Sequence, residues 1–447
     1  MIKISKIHSP FEEYDSVDPK NFVGRTDIIN NFISKVSRDS NKKLNCFLIT
    51  GNKEMGKSSL LDYLKTYAEE ELGFLSSYVF LNNKDINDIT SISEQTISNL
   101  LCNTTFGISD EEELIELLKK FSIDFIKISD VSNISWREIR FTEEFLKKVN
   151  INFGEFFLKL IKQISPNGIF FEIDTSTYWE DIDEISIFSK WIPEFIYYLE
   201  NNDFDIPIII ALALPKNNCI DLLRKDNYLK EIFTVEDLRK LSNEEVKTYL
   251  ENGFDRFEWR ISEDVMNMLV ELSLGHPAMM RHFGQDIYWN LGVRNKDFGF
   301  LYNEGLSMHV AVANQQVTSI EEVYNVLETL YRNDYYLDMI RKNDKSGPKS
   351  LYFSILNKIL EDFKQNFDGY YFFKKQTIIK KLNLREKEIF ENFIKRLEDL
   401  EVIKFNSCES AYEFKDPKIL IDFQIWSHRY KEKQKMIRYE NDFYNIK

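Results

Sequence analysis

One stretch, Cys46 to Leu61 (CFLITGNKEMGKSSLL), restricts the folds open to this chain more than any other. Cys46 to Thr50 is a short apolar run typical of a buried strand. The next eight residues, GNKEMGKS, match the pattern G-x-x-x-x-G-K-[ST], and a helical pattern begins at Ser59. This motif binds phosphate when a strand precedes the loop and a helix follows it, so we predict a P-loop at this position.

The residue types of the loop account for the chemistry that we predict. Glycines let backbone N–H groups turn inward around phosphate oxygens, and the positive end of the following helix dipole adds to the attraction. Lys57 places an ammonium on the outer phosphates, and Ser58 places a hydroxyl where phosphate-bound Mg²⁺ needs a ligand. The predicted nucleotide-binding residues of the loop are Gly51, Asn52, Lys53, Glu54, Met55, Gly56, Lys57, Ser58 and Ser59.

A second part of the same site is predicted at the end of the stretch Gly168 to Asp174 (GIFFEID). An apolar run that ends in an aspartate has the form of the second nucleotide motif, whose carboxylate orients Mg²⁺ or its waters. Asp174 is our candidate for that carboxylate. The predicted cofactors are therefore ATP or ADP and Mg²⁺, with Lys57 and Asp174 as catalytic candidates and with Ser58 and Asp174 as metal ligands.

Length and composition limit the remaining possibilities. A chain of 447 residues is too long for one ordinary core, so two or three domains are expected. No apolar run approaches the roughly 20 residues needed to cross a bilayer, and the N-terminal MIKISKIHSPFEEY lacks the apolar core of a signal peptide. Cys46, Cys102, Cys219 and Cys408 are far apart, which disfavours disulfides and a zinc site. We expect a cytoplasmic protein without membrane association, with Cys46 buried in its strand.

The charge of the chain is negative overall but uneven. A net charge of −15 disfavours general coating of nucleic acid. From Lys349 to Lys447, however, basic residues outnumber acidic ones. Lys374, Lys375, Lys380 and Lys381 lie on or beside one short predicted helix, where they form either a solvated face or a DNA-binding patch.

Hydrophobic periodicity predicts an α/β core followed by helical segments. Ile206 to Leu214 (IPIIIALAL) has the nearly unbroken apolar character of a central parallel strand, and Phe74 to Leu81 is a second strand. Pro10 and Pro19 oppose a helix at the start of the chain. We divide the chain into an extended lead-in at 1–20, a P-loop core with a parallel sheet at 21–235, a helical lid with connecting helices at 236–344, and a winged-helix domain with a basic tail at 345–447.

The winged-helix prediction depends on the order of elements after a polar linker, Lys342 to Lys349. Three helical patterns are followed by two short strands, which is the order found in that domain. The helices are predicted at Leu351–Phe363, Lys375–Leu382 and Glu386–Leu400, and the strands at Val402–Phe405 and Ala411–Phe414. In the lid, Ser242 and Glu245 form a predicted capping box, and Gly275-His276-Pro277 separates two helices.

The order of these motifs resembles the STAND-type and archaeal-type P-loop ATPases of the AAA superfamily. The matching pieces are FVGR, GNKEMGKSS, FFEID, LRKLSNEE, GHP and the terminal winged helix. The resemblance implies that the segment before the P-loop covers the adenine, and the residues of that segment are Phe22, Val23, Gly24 and Arg25.

The resemblance also concerns the lid. It implies that the helix beginning at Pro277 faces phosphate, and that Arg281, one turn later, either reaches a phosphate or pairs with a local acid. In such ATPases the nucleotide state sets the angle between the core and the lid with its winged helix, with ATP favouring an open or assembling form and ADP a closed one.

The chain departs from this family where the attacking water is activated. Related ATPases often place a second acid directly after the magnesium aspartate, and this chain has Thr175 there. Glu172 alternates to the same face as Asp174 but lies two residues earlier. A loop follows that contains three acids, Asp181, Asp183 and Glu184. These acids either supply a base from farther away than the position after Asp174, or begin a solvated helix.

A second departure is at the end of the strand Ile206 to Leu214. AAA-type proteins often end this strand with a polar residue that senses the terminal phosphate, whereas here the first polar residues are Lys216, Asn217 and Asn218. Both departures predict that hydrolysis is slow, absent or dependent on a partner.

Two function classes follow from these observations. The first is a nucleotide-controlled switch that assembles with itself or with a partner protein, in signalling or antiphage defence. The second is a DNA-binding ATPase that uses the C-terminal domain, as origin-recognition proteins and transposition regulators do. A metabolic kinase would need a substrate pocket with its own base and arginines, and the sequence has no motif for one.

Overall fold

The computed structural model describes most of the chain and divides it into two compact units. The first unit comprises residues 15–238, and the second comprises 1–14 together with 239–447. The described residues are 11, 18–38, 43–81, 92–96, 99–100, 153–175, 185–256, 258–293, 316–331, 351–365, 372–407, 410–416 and 419–427. Among these residues no helix is both long and apolar enough to cross a membrane.

The first unit is built on a five-stranded sheet in which all described strand pairs are parallel, with the order β2-β3-β4-β1-β5. Its elements in chain order are α1 Thr26–Arg38, β1 Leu44–Gly51, α2 Lys57–Glu70, β2 Leu75–Leu81, α3 Phe153–Ile164, β3 Ile169–Thr175, α4 Ile185–Glu200, β4 Ile208–Pro215, α5 Lys216–Lys225, α6 Asn227–Ile232 and β5 Phe233–Leu238. The predicted α/β class with a parallel P-loop sheet is confirmed.

The three middle strands are buried over nearly their whole length, which explains their apolar sequences. Cys46 on β1 is buried, as predicted. On one face, Phe153 and Phe157 of α3 pack with Phe195 of α4 at ring-centroid distances of 5.0 and 5.2 Å. Helix α4 begins directly after the acidic run for which the sequence analysis left a helix start open, and it contains Pro193.

The order of the strands positions the site. β4 lies between β1, which leads into the P-loop, and β3, which ends near Asp174. Gly51 at the end of β1 is level with Pro215 of β4 and with Leu238 of β5. The carboxyl ends of β1, β3, β4 and β5 therefore meet at one edge of the sheet, where parallel α/β proteins bind ligands.

The second unit begins with helices stabilised by well-formed caps. Its first elements are α7 Asn243–Asp255, β6 Arg260–Ile261, α8 Glu263–Ser273, α9 Pro277–Ile287, a π-helical turn Tyr288–Val293, β7 Gln316–Val317 and α10 Ile320–Tyr331. The predicted capping box of Ser242 and Glu245 is present. Gly275 has φ 73°, and a Cβ there would lie 2.2 Å from the Leu241 carbonyl oxygen, so the turn before α9 requires glycine.

The C-terminal part of the second unit contains the three helices and the hairpin that we predicted, together with one additional strand and one additional helix. The elements are α11 Leu351–Gln365, β8 Phe372–Phe373, α12 Lys375–Lys381, α13 Leu384–Asp399, β9 Ile403–Asn406, β10 Ala411–Phe414 and α14 at 419–427. β8 was not predicted because two residues are too short for a periodicity signal. It pairs with β10 and gives a three-stranded sheet of order β8-β10-β9.

Several predicted features lie elsewhere or outside the described residues. Pro19 begins a 3₁₀ turn, Pro19–Asn21, so the lead-in is not extended to its end. The acidic run at 181–184 and the linker at 342–349 lie outside the described residues.

Candidate nucleotide site

The P-loop joins β1 to α2 in the order that the sequence predicts. Gly56 precedes the helix with φ 85° and ψ 29°, a left-handed conformation that favours glycine. Lys57 and Ser58 are the first two residues of α2, so their backbone N–H groups belong to the helix N-terminus. This end of the helix and the loop before it form an anion-binding concavity of the kind that holds phosphate.

Lys57 is folded back over the loop. Its Nζ donates hydrogen bonds to the carbonyl oxygens of Gly51 at 3.2 Å and Asn52 at 2.8 Å. Burial lowers the pKa of Lys57 to about 8, and the nearby carboxylates of Asp174 and Glu54 partly offset that effect. An arriving phosphate would replace neutral carbonyls with a charged partner, which favours the ammonium form.

Ser58 and Asp174 meet although they come from distant parts of the sequence. The Ser58 hydroxyl donates a hydrogen bond to the Asp174 carboxylate. Burial raises the pKa of Asp174, while this hydrogen bond and the positive charge of Lys57 act in the opposite direction. A hydroxyl and a carboxylate side by side are oxygen ligands of the type that Mg²⁺ prefers, so the residues present fit the cation.

Thr175 occupies the position of the missing second acid. It is 1% exposed, and its Oγ1 donates a hydrogen bond to the carbonyl oxygen of Ala213 on the neighbouring strand at 2.8 Å. Alternation along β3 turns Thr175 to the face opposite Asp174. The side chain therefore ties two strands together and does not approach the face that carries Ser58 and Asp174.

Glu172 lies on the same face of β3 as Asp174 but deeper in the sheet. It is 0% exposed, and its Oε1 lies 3.8 Å from Nζ of Lys65, on the second half of α2. Burial raises the pKa of Glu172 to about 8. Helix α2 thus covers this carboxyl group, which lies two residues before Asp174 on the strand.

The segment that precedes the P-loop contacts both the loop and α2. The Phe22 ring lies 5.0 Å from the Tyr63 ring of α2, and the Arg25 guanidinium donates a hydrogen bond to the Met55 carbonyl at 3.2 Å. Gly24 and Arg25 both have positive φ angles, which bend the chain toward the loop. The structure therefore brings Arg25 to the P-loop and Phe22 to α2. That Phe22, Val23, Gly24 and Arg25 contact adenine stays a prediction.

An ion pair that the sequence analysis missed lies at the same edge of the sheet. Nζ of Lys216, directly after β4, is 3.4 Å from an Oδ of Asp237 near the end of β5. Cys219 is buried beside this pair, and burial raises the pKa of its thiol to about 11. Asp237 is a charged residue near the end of a strand beside β1, and that position is the sequence signal that could have identified it.

Two predicted site residues belong to the second unit. Pro277 is the first residue of α9, where its missing N–H costs nothing, and Arg281 lies one turn further along. His276 precedes them and is buried, which lowers the pKa of its imidazole to about 3. The roles of Pro277 and Arg281 toward the nucleotide stay predictions.

Comparison with known proteins gives structural similarities at low sequence identity. The sequence matches no protein-family model and no curated protein. The chain is similar to the ORC2 protein of Aeropyrum pernix in its ADPNP–ADP complexes, with 11% identity, a TM-score of 0.44, and coverage of 96% of this chain and 99% of that chain. It is also similar to RuvB of Thermotoga maritima, described as a Holliday junction branch migration motor, with 11% identity, a TM-score of 0.36, and coverage of 91% and 96%. Neither similarity assigns an activity, and the functional conclusion rests on the geometry of Lys57, Ser58 and Asp174.

Proposed function

We propose that the protein is an ATP-binding, slowly hydrolysing P-loop ATPase of the AAA superfamily, of STAND or archaeal type, that works as a nucleotide-controlled switch. The observation that carries this proposal is the meeting of Ser58 with Asp174 beside the buried Lys57. These three groups supply an Mg²⁺ site and a phosphate-binding charge at the N-terminus of α2. The strand order, with β4 between β1 and β3, suits this assignment.

Slow hydrolysis is the second part of the proposal. Thr175 is held by the Ala213 carbonyl, and Glu172 is covered by α2, so neither acts as the base that polarises water. We expect basal turnover below the roughly 1–100 s⁻¹ typical of kinases. A partner protein or a second copy of this chain would supply the base that polarises the attacking water.

The remaining parts of the proposal concern the second unit. We assign its helices α7–α10 to a lid and its C-terminal elements to a winged-helix domain, on the basis of helix order and the β8-β10-β9 sheet. In a switch of this kind, ATP and ADP must bind the two arrangements with different affinities. Arg281 is the candidate for reading the terminal phosphate. Assembly with itself or a partner, in cytoplasmic signalling or antiphage defence, is the role that we propose.

Nucleotide binding is tested by titrating fluorescent ATP against the wild type and Lys57→Ala. Loss of the buried charge should weaken binding by at least roughly tenfold. Lys43→Ala is the control, because Lys43 is a half-exposed lysine that pairs with Asp205 at 3.5 Å before β1. Equal affinities of Lys57→Ala and wild type would rule out the P-loop as the nucleotide site.

The switch is tested separately by small-angle scattering of the full chain saturated with ATP or with ADP. We expect the two profiles to differ and Arg281→Ala to reduce the difference. Identical wild-type profiles, with the site saturated, would refute the switch while leaving nucleotide binding intact.

DNA binding through the C-terminal domain is the second candidate function, and the surplus of basic residues after Lys349 favours it. Of the four lysines on or beside α12, two already form ion pairs: Nζ of Lys375 lies 2.5 Å from Glu391, and Nζ of Lys381 lies 2.6 Å from the buried Asp362. Within this group of four, Lys374 and Lys380 are the two exposed lysines without a described ion pair.

The salt dependence of binding to a duplex separates the two candidate functions. Phosphate contacts make affinity fall steeply with salt, by about one power of salt concentration per contact. If DNA is bound, the double variant Lys374→Ala, Lys380→Ala should weaken binding and make the affinity depend less steeply on salt concentration. No binding at low salt would eliminate the DNA-binding alternative.

A further inference from the structure

The parallel sheet of the first unit ends at β2 on one side and at β5 on the other. At β2, the side chains of Gln95 and Asn99 bond to the backbone of the strand. In the described part of the chain, no strand pairs with the outer edge of β5, and no side chain bonds to its backbone between Thr234 and Glu236. A strand edge of this kind can accept a further strand through its N–H and C=O groups.

The side chains of β5 differ between the two faces of the strand. Val235 is 42% exposed on one face. On the opposite face, Oγ1 of Thr234 accepts a hydrogen bond from Nζ of Lys35, and both side chains are half-buried. On that same face, Oε1 of Glu236 accepts a hydrogen bond from the side-chain amide of Asn31 at 2.5 Å. Lys35 and Asn31 belong to α1, which therefore supplies an ammonium group beside this edge.

The carboxylate of Glu236 is not fully compensated by these neighbours. Burial raises its pKa, while the hydrogen bond from Asn31 and the positive charge of Lys35 act in the opposite direction. A further ammonium group near Glu236 would stabilise its charged form.

We propose that β5 pairs with β5 of a second copy of this chain, antiparallel and with Val235 facing the same valine of that copy. A two-fold axis perpendicular to the sheet relates the two strands, in keeping with the symmetry of most homodimers. The two five-stranded sheets thereby become continuous across the dimer.

Charge selects this register from its neighbours. The two-fold axis keeps facing residues on one face of the sheet, so it must pass between two copies of the same residue. With Glu236 at the axis, two carboxylates would face each other. With Thr234 at the axis, the two Lys35 ammonium groups would meet, because each lies at Thr234.

The register centred on Val235 avoids both repulsions. Thr234 then faces Glu236 of the second copy, so the ammonium of Lys35 comes close to the carboxylate of the other chain. Symmetry makes this contact twice, and the two valine side chains meet on the other face. Both complementary groups belong to this chain, which favours a second copy over an unrelated partner as the occupant of the edge.

This inference deepens the self-assembly in the proposed function and rests on that part of it. No P-loop residue takes part, so nucleotide binding can be measured separately. One pair of six-residue strands is small beside the roughly 1,600 Å² of a standard interface, so we expect a weak dimer whose population depends on concentration.

Disulfide cross-linking of the full chain tests the register. Facing residues of an antiparallel pair have Cα atoms about 4.5–5.5 Å apart, which a disulfide can bridge. Oxidation of Val235→Cys should therefore give a covalent dimer, whereas Thr234→Cys and Glu236→Cys should each give little. A mixture of Thr234→Cys with Glu236→Cys should cross-link, because these two positions face each other. The wild type, treated identically, is the control for the native cysteines.

Sedimentation velocity measures the dimer itself, at about 1–100 µM protein, without nucleotide and with saturating ATP. The wild type should shift from monomer to dimer as its concentration rises. Val235→Lys should stay monomeric, because two ammonium groups would face each other. Tyr197→Lys is the matched control, since it replaces a side chain that is 61% exposed on α4 of the same unit, and it should dimerise like the wild type. Thermal unfolding and fluorescent ATP titration check that both variants are folded.

The outcomes separate this interface from the rest of the proposed function. Absence of a covalent dimer in Val235→Cys, beyond that of the wild type, would overturn the inference, and this result stands even if Val235→Lys does not fold. A folded Val235→Lys that still dimerises would place self-assembly on another surface, which refutes this interface and leaves the proposed self-assembly intact. A wild type that is monomeric under all conditions would refute both, while the ATP titration still reports on the P-loop.

Discussion

The guanidinium of Arg25 donates a hydrogen bond to the backbone carbonyl of Met55, 30 residues later in the sequence, at 3.2 Å. Met55 lies in the P-loop, one residue before Gly56. The contact fastens the segment before α1 to the loop. It therefore contributes to the shape of the phosphate-binding loop.

Arg25→Ala should weaken ATP and ADP binding to a similar extent. Removing a charged donor from a part-buried carbonyl costs about 1.5 kcal/mol, or roughly tenfold in affinity, if the loop must be reordered on binding. Isothermal titration measures both nucleotides. Arg224→Ala is the matched control, since Arg224 is an exposed arginine on α5 of the same unit. An unchanged affinity in Arg25→Ala would mean that the loop holds its shape without this contact.

Thr175→Glu should destabilise the protein and leave ATP hydrolysis no faster. The threonine hydroxyl is buried and bonded to Ala213, so a glutamate there would be a buried carboxylate facing a carbonyl oxygen. We expect a loss of about 2–4 kcal/mol in the free energy of unfolding. Thr175→Ser keeps the hydroxyl and should be nearly neutral. Faster hydrolysis with unchanged stability would show that the residue at this position does reach the attacking water.

Acid should destabilise the second unit through His276. Its folded pKa of about 3 lies below the ordinary value of 6.5, so the unfolded chain takes up a proton first as the pH falls. The neutral imidazole contributes its full share of the free energy of unfolding above pH 6.5. Below pH 6.5 this contribution falls by up to about 1.4 kcal/mol per pH unit. Chemical denaturation at about pH 7.5 and pH 5 measures this loss. The difference between the two pH values should shrink in His276→Gln, and an equal difference in both proteins would assign the acid sensitivity to other groups.

Lys381→Ala should destabilise the C-terminal elements, whereas Lys380→Ala should not. Lys381 on α12 pairs at 2.6 Å with Asp362 of α11, whose side chain is buried and would lose its counter-ion. Because the lysine is partly exposed and solvent screens the pair, we expect a loss of about 2 kcal/mol in the free energy of unfolding. Lys380, the neighbouring exposed lysine of the same helix, provides the control. Equal stabilities would show that other partners of Asp362 or water replace Lys381 after the substitution.

The parts of the site that a local motif encodes were predictable from the sequence. The loop from Gly51 to Ser58 and the strand ending near Asp174 have short-range signals, because apolar runs and glycine spacing do not depend on the rest of the fold. The contacts of Thr175 and Asp237 could not be predicted in this way. Each depends on which strand lies beside its own, and the crossover connections that decide strand order carry no periodic signal.

The packing of Phe11 against α7 and α9 was unpredictable for a similar reason. The sequence identifies Phe11 as an aromatic residue between prolines and acids, which is typical of an irregular lead-in. Gly253 and Gly284 leave the space that the Phe11 ring occupies. In a sequence, isolated glycines in helical patterns predict only weaker helices and do not indicate that a distant ring packs there. Only the three-dimensional arrangement of α7 and α9 connects these three residues.

Strand β2 ends the sheet of the first unit, and short helical segments at 92–96 and 99–100 cover its outer side. The amide N–H of Phe80 donates to Oε1 of Gln95 at 3.0 Å, and the carbonyl of Tyr78 accepts from the side-chain amide of Asn99. Exposed strand edges are the places where copies of a protein join into continuous sheets and aggregate. Side-chain amides already bond to these two backbone groups. Another chain therefore cannot extend the sheet at β2 without first displacing the helical segments at 92–96 and 99–100. This edge of the sheet is therefore protected against pairing with a strand of another copy.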